Sequence, residues 1–313
     1  MTCSNIRHRY AGAVISRIVF VVGALVLTGC ATGTAISTTT SLPETTLAPA
    51  TEASTSTTIT AAPIETTTTV SVTTTTVSPF AHPGWLGTIV LPLGPDGENG
   101  IAQPTPPELQ DRRLETIDRL PPPADDRFVA TIGPIPDEVI ARSTWTEECP
   151  VTRDELAYLN VSHYGFDGEF HTGEMIVNAA VAEDIVSVFE KLHAARFPIE
   201  QLKVTTQAEL DAPPTGDGNG SGAFGCREAV GSSGWSQHAY GLAIDINPFH
   251  NPYIYGELVI PELAMSYLDR ERVLPGMVFE GDVVVEAFAE IGWAWGGNWN
   301  SLKDWMHFSK SGH

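Results

Sequence analysis

An α+β domain is the fold class that the sequence predicts, over residues 128 to 313. Two segments carry apolar residues at helical spacing, "GEMIVNAAVAEDIVSVFEKLHAARF" (173–197) and "DVVVEAFAEIGW" (282–293), the latter with Asp282 as its predicted N-cap. Short strand-like runs surround them, among them "IEQLKVTT", "AYGLAIDI" and an aromatic-rich C-terminal segment. Because no βαβ unit repeats here, helices beside antiparallel strands are favoured over a parallel sheet.

A targeting segment is predicted at the N-terminus. Residues 1–29 join a basic start to the apolar run "IVFVVGALVLTG", which is too short to span a bilayer and is typical of a signal peptide. The run ends in "LTGC", which resembles a bacterial lipobox with Cys30 as the lipidated residue; the alternative is an ordinary signal peptide that contains a cysteine. The mature protein is therefore expected outside the cytoplasm, attached to the bacterial cell membrane through a lipid anchor only.

Two segments of biased composition separate the anchor from the domain. Residues 30–79 predict a disordered or glycosylated stalk, since serine and threonine make up 26 of the 49 residues from 31 to 79 and lysine and arginine are absent there. Residues 80–127 contain "QPTPPELQ" and "RLPPPADD" and form a proline-rich transitional segment that is assigned to no domain.

The charge of the chain excludes some partners. Three of the 17 basic residues precede Cys30, which leaves 14 basic and 38 acidic residues and a net charge of −24 for the mature chain. Such a surface repels nucleic acid and anionic membranes, so neither is an expected partner. The expected oligomeric state is a monomer.

Two cysteines remain outside the targeting segment, Cys149 and Cys226. In an exported protein such a pair predicts a disulfide, which would contribute about 4 kcal/mol for a loop of this length in the chain-entropy model. A pair of zinc thiolates is the alternative, although neither cysteine has a CxxC partner.

A histidine and an aspartate interrupt the apolar segment "SQHAYGLAIDINP" (236–248). A buried, unpaired carboxylate is unfavourable, so a cation or hydrogen-bond donors should meet Asp245. His238 lies an odd number of residues before it, and the two would face opposite sides of one regular strand. Gly241 permits the backbone to turn, which places His238 on a loop and Asp245 on the next strand. Imidazole and carboxylate are ligands of first-row metals, and the pair is typical of catalytic zinc when a third ligand and a water complete the tetrahedron.

The C-terminal "DWMHF" supplies a third candidate ligand, His307, and an acid three positions earlier, Asp304. Zinc lowers the pKa of a bound water to about 7. A carboxylate beside that water can take its proton and pass it to a leaving amine.

Together these residues resemble the M15 zinc peptidases. Ser236, His238, Gly241, Ala243 and Asp245 fit the signature S-x-H-x-x-G-x-A-x-D, and "WGGNWNSLKDWMHF" resembles the second half of the family pattern. The resemblance spans roughly residues 147 to 310. It implies the small α+β zinc fold shared with hedgehog signalling domains, an antiparallel sheet with flanking helices, and one zinc ion. It also implies hydrolysis of peptidoglycan stem peptides, as in D-alanyl-D-alanine carboxypeptidases, VanY-like and VanX-like enzymes and L-alanyl-D-glutamate endopeptidases.

The resemblance also implies roles for single residues. The expected zinc ligands are His238, Asp245 and His307, with Asp304 as the catalytic acid and base. An arginine upstream of the first motif polarises the scissile carbonyl in the family, and Arg227 holds that position here, directly after Cys226. Two residues beside His238 are expected to contact substrate: Ser236 and Tyr240. The histidines outside the motifs are expected to be structural or to have no role: His163, His171, His250 and His313.

One departure leaves the cleaved bond open. The carboxypeptidase and dipeptidase branches usually carry glutamate where this chain has Asp304, and aspartate there resembles the L-alanyl-D-glutamate endopeptidase branch. Two alternatives to a cell-wall peptidase also remain: a non-catalytic zinc-containing wall-binding or signalling module, and a peptidase with a protein substrate. A purely structural zinc site would need neither Asp304 nor Arg227, which favours an enzyme.

Overall fold

A computed structural model describes residues 78–313, so the predictions for the signal peptide, Cys30 and nearly all of the stalk lie outside the described residues. Within this range no helix has the length and apolar character needed to cross a membrane. The strands are β1 Ala130–Gly133, β2 Leu156–Tyr164, β3 Phe170–Asn178, β4 Gln201–Leu202, β5 Gly220–Ser221, β6 Ala243–Asp245, β7 Tyr253–Tyr255, β8 Leu258–Ile260, β9 Ala294–Trp295, β10 Lys303–Asp304 and β11 His307–Ser309. The helices are α1 Asp137–Arg142, α2 Ala182–Ala194, α3 Gln207–Leu210 and α4 Val283–Glu290.

The combination of helices with mainly antiparallel sheets confirms the α+β class. Three three-stranded sheets have the orders β1-β2-β3, β10-β7-β8 and β6-β11-β9, and all of their pairs are antiparallel. The pair β4-β5 is parallel. The main core lies between the β2-β3 hairpin, helices α2 and α4, and strands β6 and β11.

The helix predicted over 173–197 is wrong in its first third. Residues up to Asn178 belong to β3, which pairs with β2 along its whole length, and α2 begins only at Ala182. Both faces of β3 are largely buried, so its apolar run lacks the alternation that marks a half-exposed strand. The side chain of Asn178 accepts a hydrogen bond from the backbone of Ala180 and starts the helical part there.

The second predicted helix is confirmed. Helix α4 begins after Asp282, whose carboxylate accepts hydrogen bonds from the backbone nitrogens of Val284 and Val285 at 2.9 and 3.0 Å. Its buried residues, among them Phe288, pack into the main core. The predicted "IEQLKVTT" strand shortens to the two residues of β4.

Residues 78–127, which the sequence assigns to no domain, pack against the rest of the described chain as one unit. Leu91, Leu109 and Leu114 are buried in a second apolar cluster with Phe249 and Tyr267. Very little of this segment is regular structure, because its prolines cannot donate to a ladder. It is joined to the domain by packed side chains and by two backbone hydrogen bonds, from Leu91 to Pro214 at 2.8 Å and from Gln103 to Glu262 at 3.1 Å.

The strongest of these contacts is a buried ion pair. Arg112 donates two hydrogen bonds to the carboxylate of Glu200, each 2.7 Å long, and a third to the carbonyl oxygen of Asp217 at 2.8 Å. Both charged side chains are 2% exposed. Asn219 donates to the same carboxylate at 2.8 Å, so the charge of Glu200 is fully hydrogen-bonded.

The predicted disulfide between Cys149 and Cys226 is present and closes a sequence separation of 77 residues. The backbone nitrogen of Cys226 also donates to the hydroxyl of Thr144 at 2.9 Å. The cysteine that precedes Arg227 is therefore attached at two points.

We expect Arg112→Met to lower the free energy of unfolding by about 3–5 kcal/mol, because it leaves the charge of Glu200 buried without its cation. Arg113→Met is the matched control: its pair with Asp111 is exposed and worth about 0–1 kcal/mol. Urea unfolding of the two variants measures the difference. Equal stability of both variants would show that the segment does not depend on the buried pair.

Candidate functional site

The register of two short strands brings the predicted ligands together. In the antiparallel pair β6-β11, Asp245 lies directly opposite His307. On the opposite edge of β6, Asp245 pairs with Gly222. The backbone nitrogen of Asp245 donates to the carbonyl oxygen of Gly222 at 2.9 Å, and the nitrogen of Gly222 donates to the carbonyl oxygen of Asp245 at 3.1 Å. The carboxylate therefore projects from a strand whose backbone is hydrogen-bonded on both sides.

His238 reaches the same point through a turn, as the sequence predicted. It lies in a single 3-10 turn, Gln237–Tyr240, whose N-cap Ser236 accepts a hydrogen bond from the backbone of His238. Gly241 ends the turn with φ +65°, and a Cβ there would lie 2.5 Å from the backbone nitrogen of Asn178. Only glycine fits both the left-handed backbone and this close approach to β3.

The three side chains form a compact triangle. The Nε2 of His238 lies 3.2 Å from the Nδ1 of His307 and 3.2 Å from an oxygen of Asp245, whose other oxygen lies 3.1 Å from His307 Nδ1. Ligand atoms about 2.0–2.1 Å from a tetrahedral zinc ion are about 3.3 Å apart, so the donor set and its spacing fit zinc. Of the described residues, this is the only group of three or more such side chains compact enough to hold a metal ion.

Hydrogen bonding orients one of the rings. The Nδ1 of His238 donates to the carbonyl oxygen of Ala223 at 2.5 Å, which leaves Nε2 as the ligand atom. Sequence reasoning missed Ala223, since a backbone acceptor in a glycine-rich loop leaves no side-chain signal. Burial alone would raise the pKa of Asp245, but His238 and His307 hold it well below its ordinary value.

Asp304 lies beside the triangle at the end of β10, opposite Tyr253 of β7. Its Oδ1 is buried and has no hydrogen-bond partner among residues 78–313, and Asp304 is one of the residues that line the cleft. Burial raises the pKa of Asp304 to about 7, with a further increase from Asp245 and opposing effects of His307 and Arg227. A carboxyl group whose pKa lies near 7 can both accept and donate a proton at neutral pH. A Cβ on Gly296 would lie 2.5 Å from the backbone oxygen of Asp304, so this glycine makes room for the acid.

Arg227, which precedes the metal triangle in the sequence, lines the same cleft as Asp304. Its backbone is held by the disulfide at Cys226 and by a 3.1 Å hydrogen bond from Ser236 to its carbonyl oxygen. One guanidinium nitrogen donates to the carbonyl oxygen of Glu228, and the side chain is only partly buried. The remaining N–H groups can face an oxyanion.

The cleft has a volume of about 420 Å³ and mostly apolar walls. The larger apolar and aromatic residues that line it are Val230, Trp235, Tyr253, Ile260, Trp299, Leu302 and Met306. Of the predicted substrate contacts, Ser236 lines the cleft, whereas Tyr240 does not and packs on a separate apolar cluster with Cys226. His313, for which the sequence indicates no role, also lines it.

The other histidines lie elsewhere. His250 is buried and bonded to the carbonyl oxygen of Arg112, and His171 is held between Asp118 and Asp167. His163 is buried beside His171, and burial lowers its pKa to about 3. Residues 78–127 contribute no side chain to the lining of the cleft.

Comparison with known proteins gives one match. Residues 230–310 match the family model described as D-alanyl-D-alanine carboxypeptidase. This segment contains the three triangle residues and Asp304, but not Arg227. No curated protein and no solved structure matches the chain.

We expect Asp245→Asn and His307→Ala to lose bound zinc. Removing a ligand should weaken zinc affinity beyond the roughly 10- to 100-fold typical of an outer-shell partner. Metal analysis after dialysis at limiting zinc measures this, with circular dichroism to check folding. Asp304→Asn is the matched control and should retain one zinc ion, since Asp304 is outside the triangle. Undiminished zinc in both ligand variants would contradict the assignment.

Proposed function

We propose that the protein is a zinc-dependent peptidase of the M15 family that hydrolyses peptidoglycan stem peptides, and the family-model match over residues 230–310 supports this proposal. The observation that carries the proposal is the convergence of the His238–Asp245–His307 triangle, the acid Asp304 and Arg227 on one cleft. The finer fold that we propose is the zinc fold shared with hedgehog domains. The small antiparallel sheet that carries Asp245 and His307, flanked by helices, supports it.

The proposed chemistry divides among the residues of the cleft. His238, Asp245 and His307 would hold zinc, which supplies Lewis-acid polarisation of the scissile carbonyl and makes a water molecule more acidic. The carboxylate of Asp304 removes a proton from the attacking water and returns it to the amine that leaves. Arg227 donates N–H groups to the oxygen on which negative charge develops.

Two stem-peptide bonds are candidates. The family model is described by its D-alanyl-D-alanine carboxypeptidase activity, which supports the terminal bond. Aspartate rather than glutamate at position 304 supports the internal L-alanyl-D-glutamate bond. The mostly apolar walls of the cleft accept the alanine side chains of either.

We further propose that the protein acts outside the cytoplasm as a monomer, attached to the membrane only through a lipid on Cys30. The "LTGC" motif and the serine- and threonine-rich stalk support this location. The disulfide agrees with it, because disulfides persist in oxidising compartments. The acidic charge argues against nucleic acid as a partner.

Asp304→Asn is the variant that tests the mechanism. We expect turnover of peptidoglycan peptides to fall by about 10²- to 10⁴-fold while zinc stays bound, because the amide cannot accept the proton. Asp125→Asn is the control, since it makes the same charge change at an exposed carboxylate that does not line the cleft. A fully active Asp304→Asn variant would disprove the assigned role.

Mass spectrometry of the products identifies the bond. The full-length protein is incubated with zinc and purified peptidoglycan, with His307→Ala as the inactive control. Release of single D-alanine residues indicates a carboxypeptidase, and release of stems that begin with D-glutamate indicates an endopeptidase. No zinc-dependent product would favour the non-catalytic wall-binding module or a substrate outside the cell wall.

A further inference from the structure

Residues 227–235 form a short hairpin, here called the arginine arm, that contributes to the wall of the cleft. The backbone nitrogen of Ser236 donates to the carbonyl oxygen of Arg227 at 3.1 Å, and Glu228 forms an isolated bridge with Trp235. The chain turns back on itself between these pairs. Arg227 therefore lies at the base of the arm, where the arm leaves the rest of the domain.

The arginine arm has few contacts of its own with the domain. Within residues 78–313, the hydrogen bonds that leave the arm go only to Gly225 and Ser236, at its two ends. None of its residues is buried, and Val230 and Trp235 are 44% and 42% exposed. A segment with little buried surface and only local hydrogen bonds is easily displaced. The position of Arg227 therefore depends on how the base of the arm is attached.

The attachment is made by Cys226, the residue directly before Arg227. Its sulfur is bonded to Cys149, and its backbone nitrogen donates to the hydroxyl of Thr144 at 2.9 Å. Thr144 is 2% exposed, so this acceptor is part of the folded interior. Both partners lie in the segment that follows α1, where the indole of Trp145 also donates to a backbone carbonyl oxygen at 3.1 Å. The disulfide thus ties the base of the arm to a hydrogen-bonded part of the domain.

The metal triangle has anchors that do not involve the disulfide. Asp245 and His307 are aligned by the register of β6 with β11. The turn of His238 meets the base of the arm through a 3.2 Å backbone hydrogen bond from Gly225, but its ring is fixed by the carbonyl oxygen of Ala223 at 2.5 Å. Loss of the disulfide should therefore displace the arginine and leave the three ligands together.

We propose that Cys149 and Cys226 are positioning residues for Arg227, so that turnover depends on the disulfide between them. The proposal rests on the proposed peptidase function, in which Arg227 meets the developing oxyanion. With two free thiols the protein would still hold zinc but would be a slow peptidase. All three residues precede the segment 230–310 that matches the family model, so the family match does not include this dependence.

The step that completes the site is a thiol–disulfide exchange. Cys149 and Cys226 form the S–S bond and together give up two electrons and their two thiol protons. The oxidant is a disulfide of another protein or of a small molecule, which is reduced to two thiols. Because such disulfides persist in oxidising compartments, the chain would gain full activity only after export from the cytoplasm.

The first test removes the disulfide from the full-length, zinc-loaded protein. In Cys149→Ser/Cys226→Ser we expect kcat on the cleaved stem peptide to fall by about 10- to 100-fold while KM changes by less than about threefold, because a displaced donor acts on the transition state. Zinc content should stay at one ion. Arg112→Met is the matched control, since it weakens the fold away from the cleft and should keep kcat within about twofold. An equal loss of kcat in both variants would overturn the proposal.

The second test asks whether the disulfide acts through the arginine. Arg227→Met is combined with Cys149→Ser/Cys226→Ser, and kcat is measured for all combinations. We expect the combined variant to stay within about threefold of Arg227→Met alone, since no guanidinium remains to be displaced. A disulfide with a merely structural role would lower kcat by the same factor with and without Arg227, and that result would overturn the proposal.

Reduction of the folded protein gives the same comparison without a variant that has to fold. A water-soluble phosphine converts the disulfide to two thiols and is itself oxidised, with an oxygen atom from water, to the phosphine oxide. Treatment should lower kcat of the parent as the double cysteine variant does. The same treatment should leave kcat of Cys149→Ser/Cys226→Ser unchanged, which assigns the effect to this pair of cysteines. An unchanged kcat in the reduced parent would contradict the proposal.

Hydrogen–deuterium exchange distinguishes failure of this proposal from failure of the proposed function, because it needs no turnover. After reduction, we expect the amides of residues 225–236 to exchange about tenfold faster or more, with β6 and β11 little changed. Faster exchange of the arm in a parent that hydrolyses nothing would uphold the positioning of Arg227 and reject the peptidase. Hydrolysis by a parent whose exchange and kcat both ignore reduction would do the reverse.

Discussion

The antiparallel pairing of β6 with β11 is the constraint on which the site depends. It sets Asp245 directly opposite His307, so the backbone register alone brings the two side chains together. The neighbouring residues Ile244, Ile246 and Phe308 are fully buried, so the same register that aligns the polar pair is stabilised by the core beneath it. A slip by one residue would exchange these faces, with the ligands turned inward and the core residues outward.

The electrostatics of the triangle favour a bound cation. Asp245 is 21% exposed and meets two largely buried imidazoles, and desolvating a carboxylate beside other polar groups is unfavourable unless positive charge compensates it. A divalent ion would provide that charge at the centre of the triangle. Arg227 also lines the cleft, and its partly exposed side chain leaves N–H groups free for a ligand.

Support for the site extends to the N-terminal part of the described chain. Arg112 binds Glu200, and Glu200 accepts a hydrogen bond from Asn219. Asn219 directly precedes β5, which continues to Gly222, the backbone partner of Asp245 on the edge away from β11. A segment that the composition assigns to no domain is therefore connected by buried polar contacts to the strand that carries a ligand.

The sequence by itself determined the local features: the α+β class, the disulfide pair, the capped helix after Asp282, and a turn at Gly241 that lets a histidine join a later aspartate. Each depends on residues close in the chain or on a residue type with few alternatives. The tertiary structure alone decided the rest. The sequence of strand β3 predicts part of a helix because both faces of the strand are buried. The spacing of apolar residues cannot distinguish a fully buried strand from a buried helix. Ala223 acts through a backbone carbonyl, and the ring of Trp299 lies beside that of His307 although the two residues belong to different elements. Such contacts join groups with no pattern of their own, so only the folded chain brings them together.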